Sequence, residues 1–537
     1  MHQTNNLILN WCLFDPISFF FRLFAVSTIL KTFKMIYPKA MKNLHSEIRQ
    51  EMELLHFSKA LALLDSIPED EKSAADWFNS GICHSSVYAW KKAEQDYRKA
   101  LELSDSPDLS NKIGLRLTHY FTQTGRLDQA AHWYNEVLEN PVNGSDGDRL
   151  FYGALLDYER GDLNGALDLA LRLAKGEEKA STGRIRCEAW LLCGDLYSAK
   201  GDLKKAVQSY GESLRLLDSC PQNWRMLRKA LILNNLADVY EQFEYWDQAA
   251  SVYEQAWKSI EEIQDDQIFD LDGYRLEILM SMANFYALQD NLSQAEEILK
   301  KARPIANQID MPLRLYWESR MEYISGLCEL YSENPKYTPF IKLFDAWKLQ
   351  SQYLTRFPAA TKEYLARTAY YAAYCYDPKL AGDVSQRQLY EQALDEFERC
   401  VFKDPKFFLF CIASVQNELG NLDVENNPAR AIELYEKSVE GYRAYLKLWP
   451  EDLLAQSSLL AVLLNLFGVY DERTLRQKGA KLLDTFEKAL FSLDQDEETR
   501  AAARDALARL LDDDRLYALY ADRLEKIHNH MQDQTLC

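Results

Sequence analysis

One helical pattern returns along almost the whole chain and limits what the chain can fold into. A small residue is followed four positions later by an aromatic residue, and three positions after that by a second small residue. Ala93, Tyr97 and Ala100 show the pattern most clearly. Because positions i, i+4 and i+7 lie on one face of an α-helix, the sequence predicts an all-α protein built from many similar helices.

A second amphipathic helix precedes each of these helices. Its signature is most complete in Trp190, Gly194 and Tyr197. Turn sequences such as R-G-D-L-N and K-G-D-L-K separate the two helices, and their glycines, Gly161 and Gly201, suit the left-handed conformation that ends a helix. The Asp that follows can cap the next helix, so the chain is predicted to form antiparallel helical hairpins.

This succession resembles the tetratricopeptide repeat family, whose pattern is Trp, Leu-Gly, Tyr, then Ala, Phe and Ala in a unit of ~34 residues. The resemblance implies a right-handed α-solenoid of antiparallel helix pairs, a superhelix. Its small residues allow two helices to approach closely while the aromatic residue fills the space beside them. The second helices mark about eleven units, at Ala60, Ala93, Ala130, Ala166, Ala206, Ala249, Ala295, Phe340, Ala393, Ala431 and Ala480.

The pattern divides the chain into four parts. Residues 1–40 form a poorly patterned extension with apolar and basic residues, and 41–305 form an N-terminal solenoid. Residues 306–392 are irregular, with helix breakers in E-N-P-K-Y-T-P and D-P-K-L-A-G-D. Residues 393–537 hold C-terminal repeats and a capping helix. The irregular part is either a hinge between two halves or a run of irregular repeats, and both interpretations stay open.

The extension contains an apolar stretch at 7–30 that is a poor membrane span. Asp15 and Arg22 interrupt it, and a charged residue at the centre of a bilayer costs roughly 2.5 to 3.5 kcal/mol. Three interpretations remain: an upstream extension before a true start at Met35 or Met41, a membrane anchor, or an interfacial segment. The predicted location is the cytoplasm, with membrane association through this stretch as the alternative.

Composition excludes one class of partner. The 537 residues carry 82 Asp and Glu against 62 Lys and Arg, a net charge of -20, which repels nucleic-acid phosphates. Ten cysteines include no C-x-x-C pair, and this favours reduced thiols in the core of a cytoplasmic protein. We therefore expect an acidic protein that does not bind nucleic acid.

Catalytic and metal-binding motifs are missing from the sequence. It contains no G-x-S-x-G, Walker loop, H-E-x-x-H or dinucleotide fingerprint. His528 and His530 are two positions apart, so on a helix they face different ways. We expect no enzyme activity, no cofactor and no metal. An unrecognised active site in 306–392 is an alternative without positive support.

The resemblance implies where a partner binds, because the first helix of each unit lines the concave face in this family. In the three clearest units this gives the candidate peptide-binding residues Glu188, Asp195, Asn234, Asn235, Asp238, Glu241, Glu277 and Asn284. Carboxylates pair with Lys or Arg, and Asn amides pair with a peptide backbone. The predicted partner is a protein or peptide with basic or extended segments.

Acidic chaperone tails are not expected to bind. The members of the family that hold such tails use Lys and Asn at set positions of consecutive units. Asn235 matches one of these Asn residues, but Asp195 stands where another is required, and Glu277 and Ser281 replace the basic pair. The leading functional hypothesis is a scaffold or adaptor that binds protein segments. The alternative is a regulatory sensor whose curvature changes when a short peptide binds.

Overall fold

The structure of the protein, a computed structural model, describes residues 41–533 apart from 141–145, 177–181, 269, 312, 354–357 and 494–496. Every regular element in these residues is a helix, and none is a strand. The predicted all-α fold is confirmed. The extension 1–40, with its apolar stretch, lies outside the described residues. Among the helices described, none is both long and apolar enough to cross a membrane.

Twenty-four α-helices follow one another along the described chain. The first spans 41–53 (α1). The others are α2 (Phe57–Asp65), α3 (Ala74–Ser86), α4 (Trp90–Glu102), α5 (Pro107–Gln123), α6 (Leu127–Glu139), α7 (Asp146–Glu159), α8 (Leu163–Ala174), α9 (Gly183–Ala199), α10 (Leu203–Leu216), α11 (Gln222–Gln242), α12 (Trp246–Glu261), α13 (Leu271–Leu288), α14 (Leu292–Ala306), α15 (Leu313–Tyr331), α16 (Pro339–Tyr353), α17 (Pro358–Tyr374), α18 (Gln386–Cys400), α19 (Pro405–Asp423), α20 (Pro428–Leu448), α21 (Leu453–Val469), α22 (Glu472–Ser492), α23 (Glu497–Leu511) and α24 (Asp514–Asp533).

The helices belong to two compact units. The first contains the described residues up to Leu109 together with the short segment Asp265–Phe269. The second contains Ser110–Gln264 and the chain from Asp270 onward. In most cases an odd-numbered helix packs against the even-numbered helix that follows it, as α3 does with α4 in the first unit and α11 with α12 in the second. These pairs are the helical hairpins that the sequence predicts.

The small residues predicted for the second helices lie in the core. Nine alanines and Phe340 are fully buried, namely Ala60, Ala93, Ala130, Ala166, Ala206, Ala249, Ala295, Ala393 and Ala431. The last position is displaced by one residue, because Ala480 is exposed and Gly479 is buried. A Cβ atom on Gly479 would lie 2.8 Å from the hydroxyl of Tyr520. The buried small residue of this unit is therefore the glycine, which packs against Tyr520 of α24, and our placement at Ala480 was wrong.

In several hairpins a glycine in the first helix allows the aromatic residue of the second helix to pack closely. A Cβ atom on Gly194 would lie 2.7 Å from ring atoms of Tyr210, and one on Gly420 would lie 2.6 Å from the ring of Tyr435. Real Cβ atoms do not approach other atoms so closely, so the ring occupies the space that a side chain would need. The small–aromatic pairing of the sequence is thus a contact between the two helices of a hairpin.

The turns between helices follow the predicted geometry. Gly161 and Gly201 have φ angles of 80° and 77° in the left-handed region. The Asp202 side chain then accepts a 3.1 Å hydrogen bond from the backbone N–H of Lys205 and caps α10. Asp162 caps α8 in the same way. The hairpins α7–α8 and α9–α10 therefore each have a glycine that ends one helix and an aspartate that caps the next.

Helices continue through the irregular part of the sequence, where 306–392 contains α15, α16, α17 and the start of α18. E-N-P-K-Y-T-P connects α15 to α16, with its last residue, Pro339, beginning α16, and D-P-K-L-A-G-D falls between α17 and α18. The C-terminal segment forms a further pair, α23 and α24. The division of the chain at 305 and 392 stays a prediction, and 306–392 as a hinge or as a run of irregular repeats stays open with it.

Candidate functional site

The second unit encloses a cavity of about 690 Å³. One wall is formed mainly by α9, α11 and α13, and the other by α17, α19 and the start of α21. These are the first helices of their hairpins, so the lining matches the face that the resemblance implied for a bound peptide. A cavity of this size accommodates a few residues of an extended chain rather than a folded domain.

Ion pairs join the two walls along one margin of the cavity. The Lys403 ammonium group lies 3.1 Å from Oε1 of Glu159, at the end of α7. Lys406 pairs with Glu244 in the turn between α11 and α12. The partners are 244 and 162 positions apart in the chain, so distant parts of the second unit close the cavity.

Six of the eight candidate residues line this cavity, namely Asp195, Asn235, Asp238, Glu241, Glu277 and Asn284. Glu188 is not among the lining residues, and its carboxylate forms an ion pair with Arg228 at 2.6 Å. Asn234 is only 4% exposed and lies behind the wall, where it donates to Asp238 and to Ser281, each at 3.3 Å. The structure thus brings most of the candidates together, while Glu188 already has a partner within the chain.

Three of the lining carboxyl groups bond to neutral donors. The hydroxyl of Tyr210 donates a 2.5 Å hydrogen bond to Oδ1 of Asp195. The hydroxyl of Tyr253 lies 2.5 Å from Oδ1 of Asp238 and 2.8 Å from Oε2 of Glu241. No Lys, Arg or His in the described residues forms an ion pair with any of these three carboxyl groups. We call Asp195, Asp238 and Glu241 the acid cluster.

Burial raises the pKa of every member of the acid cluster, because a carboxylate loses hydration inside the cavity. The pKa of Asp195 rises to about 6, although hydrogen bonds from Tyr210 and Asn235 oppose the rise. The pKa of Glu241 rises to about 7 for the same reason, with Tyr253 and Arg367 opposing it and Asp404 adding to it.

Asp238 has the largest shift of the three. Burial raises its pKa to about 8, the hydrogen bond from Tyr253 opposes the rise, and the nearby Glu241 and Glu277 add to it. The positive charge of Arg320, which lies behind the wall, lowers the pKa of Asp238 slightly. The Asp238 side chain is open to the cavity, where solvent screens part of these effects. Burial in the cavity therefore favours the protonated form of these carboxyl groups.

Glu277, by contrast, is paired inside the protein. Its Oε2 accepts a 2.5 Å hydrogen bond from Arg320, whose side chain is almost fully buried. Arg320 also donates to the hydroxyl of Tyr364 at 2.5 Å, and its guanidinium group lies 4.1 Å from the centroid of that ring. Glu277 therefore neutralises a buried arginine, and its carboxylate is not free for a partner.

The opposite wall supplies the cations of the cavity, and each of them is also paired. The Arg367 guanidinium group donates to Asp404 at 2.8 Å and to Glu363 at 3.1 Å. The remaining lysines, Lys403 and Lys406, form the wall-to-wall ion pairs described above. The lining contains eight carboxyl groups and three cationic side chains. The cavity thus has an excess of hydrogen-bond acceptors.

Comparison with known families identifies the type of repeat. Two family profiles, both described as tetratricopeptide repeat, match residues 188–216 and 232–265. The chain contains tetratricopeptide repeats. The matched residues cover most of the hairpins α9–α10 and α11–α12, which carry the acid cluster and both of its tyrosines.

Several solved structures are similar to the chain. The apo form of RapI is 13% identical, with 54% of this chain and 98% of that chain covered and a TM-score of 0.39. A Rap protein complexed with competence and sporulation factor is 13% identical, with 75% and 100% covered and a TM-score of 0.38. The human IFIT1 dimer with PPP-AAAA is 16% identical, with 87% and 94% covered and a TM-score of 0.40. No curated protein matches the chain.

Two features of the site were not predicted from the sequence. Tyr210 and Tyr253 occupy the position where the tetratricopeptide pattern has Phe, and the hydroxyl that distinguishes them reaches the acid cluster. The replacement of phenylalanine by tyrosine at this position was the sequence feature that could have predicted the contact with the acid cluster. Arg367, Lys403 and Asp404 gave no such signal, because they approach the first wall only when the second unit folds.

Proposed function

We propose that the chain is a scaffold or adaptor that holds a basic, extended segment of a partner protein in the cavity of the second unit. Tetratricopeptide repeats indicate a protein partner. The observation that carries the proposal is the acid cluster, which lines a concave wall of first helices and has no cationic partner among the described residues. Carboxylates in such a place attract Lys and Arg side chains.

Amide side chains on the same wall support an extended guest. Asn235 and Asn284 line the cavity, and an Asn amide can pair with both the N–H and the C=O of a peptide backbone. Exposed apolar residues also line it, with Trp246, Leu288 and Leu454 exposed by 39%, 37% and 66%. The favoured segment therefore has a basic residue beside apolar ones, and an acidic chaperone tail is disfavoured.

The proposal places the protein in the cytoplasm and assigns it no catalysis. Eight cysteines in the described residues are free thiols, and all but Cys375 are buried. Reduced, buried thiols suit a reducing compartment. Membrane association through 7–30 stays an alternative for the location.

Affinity selection followed by cross-linking tests the proposal on the full chain. A displayed library of random linear peptides would be selected against the protein, and a retained peptide resynthesised with a photo-reactive group. We expect cross-links to α9, α11, α13 or α19, and no retention of a peptide that ends in several acidic residues. Failure to retain any peptide, or cross-links confined to the even-numbered helices, would overturn the proposal.

A further inference from the structure

The second unit contains a closed ring of helices. From α7 to α19, each helix packs against the next one along the chain. The two ends of this run then meet, because residues at the end of α7 contact the turn that precedes α19. Among the described helices, every pair that packs extensively is at most two helices apart in chain order. The ends of the ring therefore meet at a junction that side-chain contacts, rather than packed helices, hold together.

An aromatic contact and an ion pair form the first part of this junction. The rings of Tyr158 and Phe402 meet edge to face, with their centroids 5.4 Å apart and their planes at 86°. Phe402 also lies against the turn after α7, where a Cβ atom on Gly161 would be 3.5 Å from its ring. Beside the rings, the Lys403 ammonium group lies 3.1 Å from Oε1 of Glu159. These contacts all come from a turn or from the last residues of a helix.

The ion pairs of the junction are partly open to solvent. The side chains of Lys403 and Glu159 are 20% and 26% exposed. Those of the second pair, Lys406 and Glu244, are 23% and 59% exposed. Water screens such pairs, so each of them contributes little to stability, and a single aromatic contact adds only slightly more. Opening the junction therefore costs far less free energy than separating two packed helices, and the ring is weakest at this point.

A closed ring limits how a partner segment reaches the cavity. Tyr158, Lys403, Lys406 and Glu244 all line the cavity, so the junction forms part of its margin. A free peptide end can thread into a closed ring. A segment with a folded domain on each side cannot, because the domains are too large for a cavity of about 690 Å³. Such a segment enters only when the ring opens at its side.

We propose that the junction is a latch, which opens the ring and admits an internal segment of the partner protein from the side. The latch consists of three contacts, Tyr158 with Phe402, Glu159 with Lys403 and Glu244 with Lys406. Entry through the latch rests on the proposed function, whereas opening of the latch is a property of the free chain. Once the latch has closed again, a segment between two folded domains cannot leave until it reopens. The latch therefore slows both the association and the dissociation of such a partner.

Charge reversal with a matched restoration tests the latch in the full chain without a ligand. Glu159→Lys would place like charges at the junction, and adding Lys403→Glu would restore an ion pair with the charges exchanged. The control Asp168→Lys makes the same change of charge at an exposed residue of α8 that forms no ion pair with the described residues. Pulsed electron paramagnetic resonance would measure the distance between spin labels on non-canonical residues in place of Arg160 and Glu398, which are exposed on either side of the junction. The ten native cysteines then stay in place.

The wild type and Asp168→Lys should give the same short distance between the labels. Glu159→Lys should add a longer distance, because like charges repel at the junction while far-ultraviolet circular dichroism shows the helices unchanged. The double variant should return to the short distance. If Glu159→Lys keeps the distances of the wild type, the latch is overturned, whether or not the protein retains a peptide.

The same variants test entry through the latch with the peptide retained in the selection above. Stopped-flow measurements would compare the free peptide with the same peptide inserted between two copies of a small folded domain. Glu159→Lys should raise the association rate of the inserted peptide about fivefold relative to that of the free peptide, because opening limits the entry of the inserted one alone. An unchanged ratio of the two rates would overturn entry through the latch and leave the proposed function standing. If no peptide is retained at all, the proposed function fails and the label distances alone decide whether the latch opens.

Discussion

The hydroxyl of Tyr253 lies 2.5 Å from Oδ1 of Asp238. Tyr253 thus packs between the two helices of a repeat and also bonds to a carboxyl group that lines the cavity. The Tyr253 ring is 1% exposed and fills the seam between α11 and α12, as the aromatic position of the repeat requires. Its hydroxyl reaches through that seam to a carboxyl group on the concave wall. A single residue therefore serves both hairpin stability and the acid cluster.

Tyr253→Phe should keep the ring and remove the hydrogen-bond donor. The free energy of unfolding should fall by about 1 to 3 kcal/mol, because Asp238 and Glu241 then lack the hydroxyl donor that they share. Urea denaturation measures the change. The control Tyr374→Phe alters a tyrosine that is 63% exposed, and it should change the free energy by less than about 0.5 kcal/mol. Equal effects of the two substitutions would contradict this role of the hydroxyl.

The acid cluster should make the empty protein less stable as pH rises. The pKa values of Asp195, Glu241 and Asp238 in the folded state are about 6, 7 and 8, above those of free carboxyl groups. Between about pH 4 and pH 8 the folded state therefore binds more protons than the unfolded state, and the free energy of unfolding falls with pH. This stabilisation is complete below the unfolded pKa and is lost as pH passes the folded values.

Urea denaturation at a series of pH values measures how steeply the free energy of unfolding falls as pH rises. The variant with Asp195→Asn, Asp238→Asn and Glu241→Gln should show a flatter dependence between pH 5 and 8, while Glu254→Gln should keep that of the wild type. An unchanged slope in the triple variant would show that other groups cause it. A cationic peptide should bind more tightly as pH rises through the same range, because it binds the ionised carboxylates.

Glu277→Gln should be far more damaging than Asp238→Asn, although both residues line the cavity. Glu277 is the ion-pair partner of the buried Arg320, and removing one partner leaves an uncompensated buried charge. We expect a loss of about 2 kcal/mol, less than for a fully enclosed pair because Glu277 is partly exposed. Asp238→Asn removes a carboxyl group without a cationic partner and should be neutral or stabilising. Thermal denaturation followed by circular dichroism compares the two, and the reverse order would contradict the assignment.

The repeat made most of the fold predictable, and the limits of the site prediction have a physical cause. The spacing of small and aromatic residues shows which face of a helix is buried. Ala249 and Tyr253 could therefore be assigned from sequence alone to the buried interface between two helices. It does not report which side chains meet across a cavity. Arg320 approaches Glu277 from 43 positions away, and Arg228 approaches Glu188 from 40. Two of the predicted ligand carboxylates were therefore already paired, which no local pattern could show.

His56 should give the first unit a pH dependence of its own. Its Nδ1 lies 2.8 Å from Oε2 of Glu51 and its Nε2 lies 3.0 Å from Oδ2 of Asp265, so the imidazolium form can donate to both carboxylates. Burial alone would lower the pKa of His56, but the hydrogen bonds with Asp265 and Glu51 outweigh it and raise the pKa. Lys59 also bonds to Glu51, at 2.7 Å.

The stabilisation from His56 should be complete below its unfolded pKa of about 6.5 and disappear as pH rises through the higher folded value. The difference in unfolding free energy between the wild type and His56→Gln should therefore shrink from pH 6 to pH 8.5. Hydrogen exchange of the backbone amides of α1 and α2, corrected for intrinsic exchange rates, shows whether the pH dependence of stability arises in these helices. A constant difference over this range would show that the imidazolium form is not the stabilising one.

Two glycine substitutions in one hairpin separate close packing from helix propensity. Gly194→Ala would place a Cβ atom 2.7 Å from the ring of Tyr210, and it should destabilise the protein by about 1 to 3 kcal/mol through overpacking. Gly211 lies in α10 with no atom within 4 Å of its would-be Cβ, so Gly211→Ala should stabilise by about 0.5 to 1 kcal/mol. Opposite shifts in the midpoint of thermal denaturation are expected. If Gly194→Ala also stabilises, the contact between this glycine and Tyr210 does not set the distance between α9 and α10.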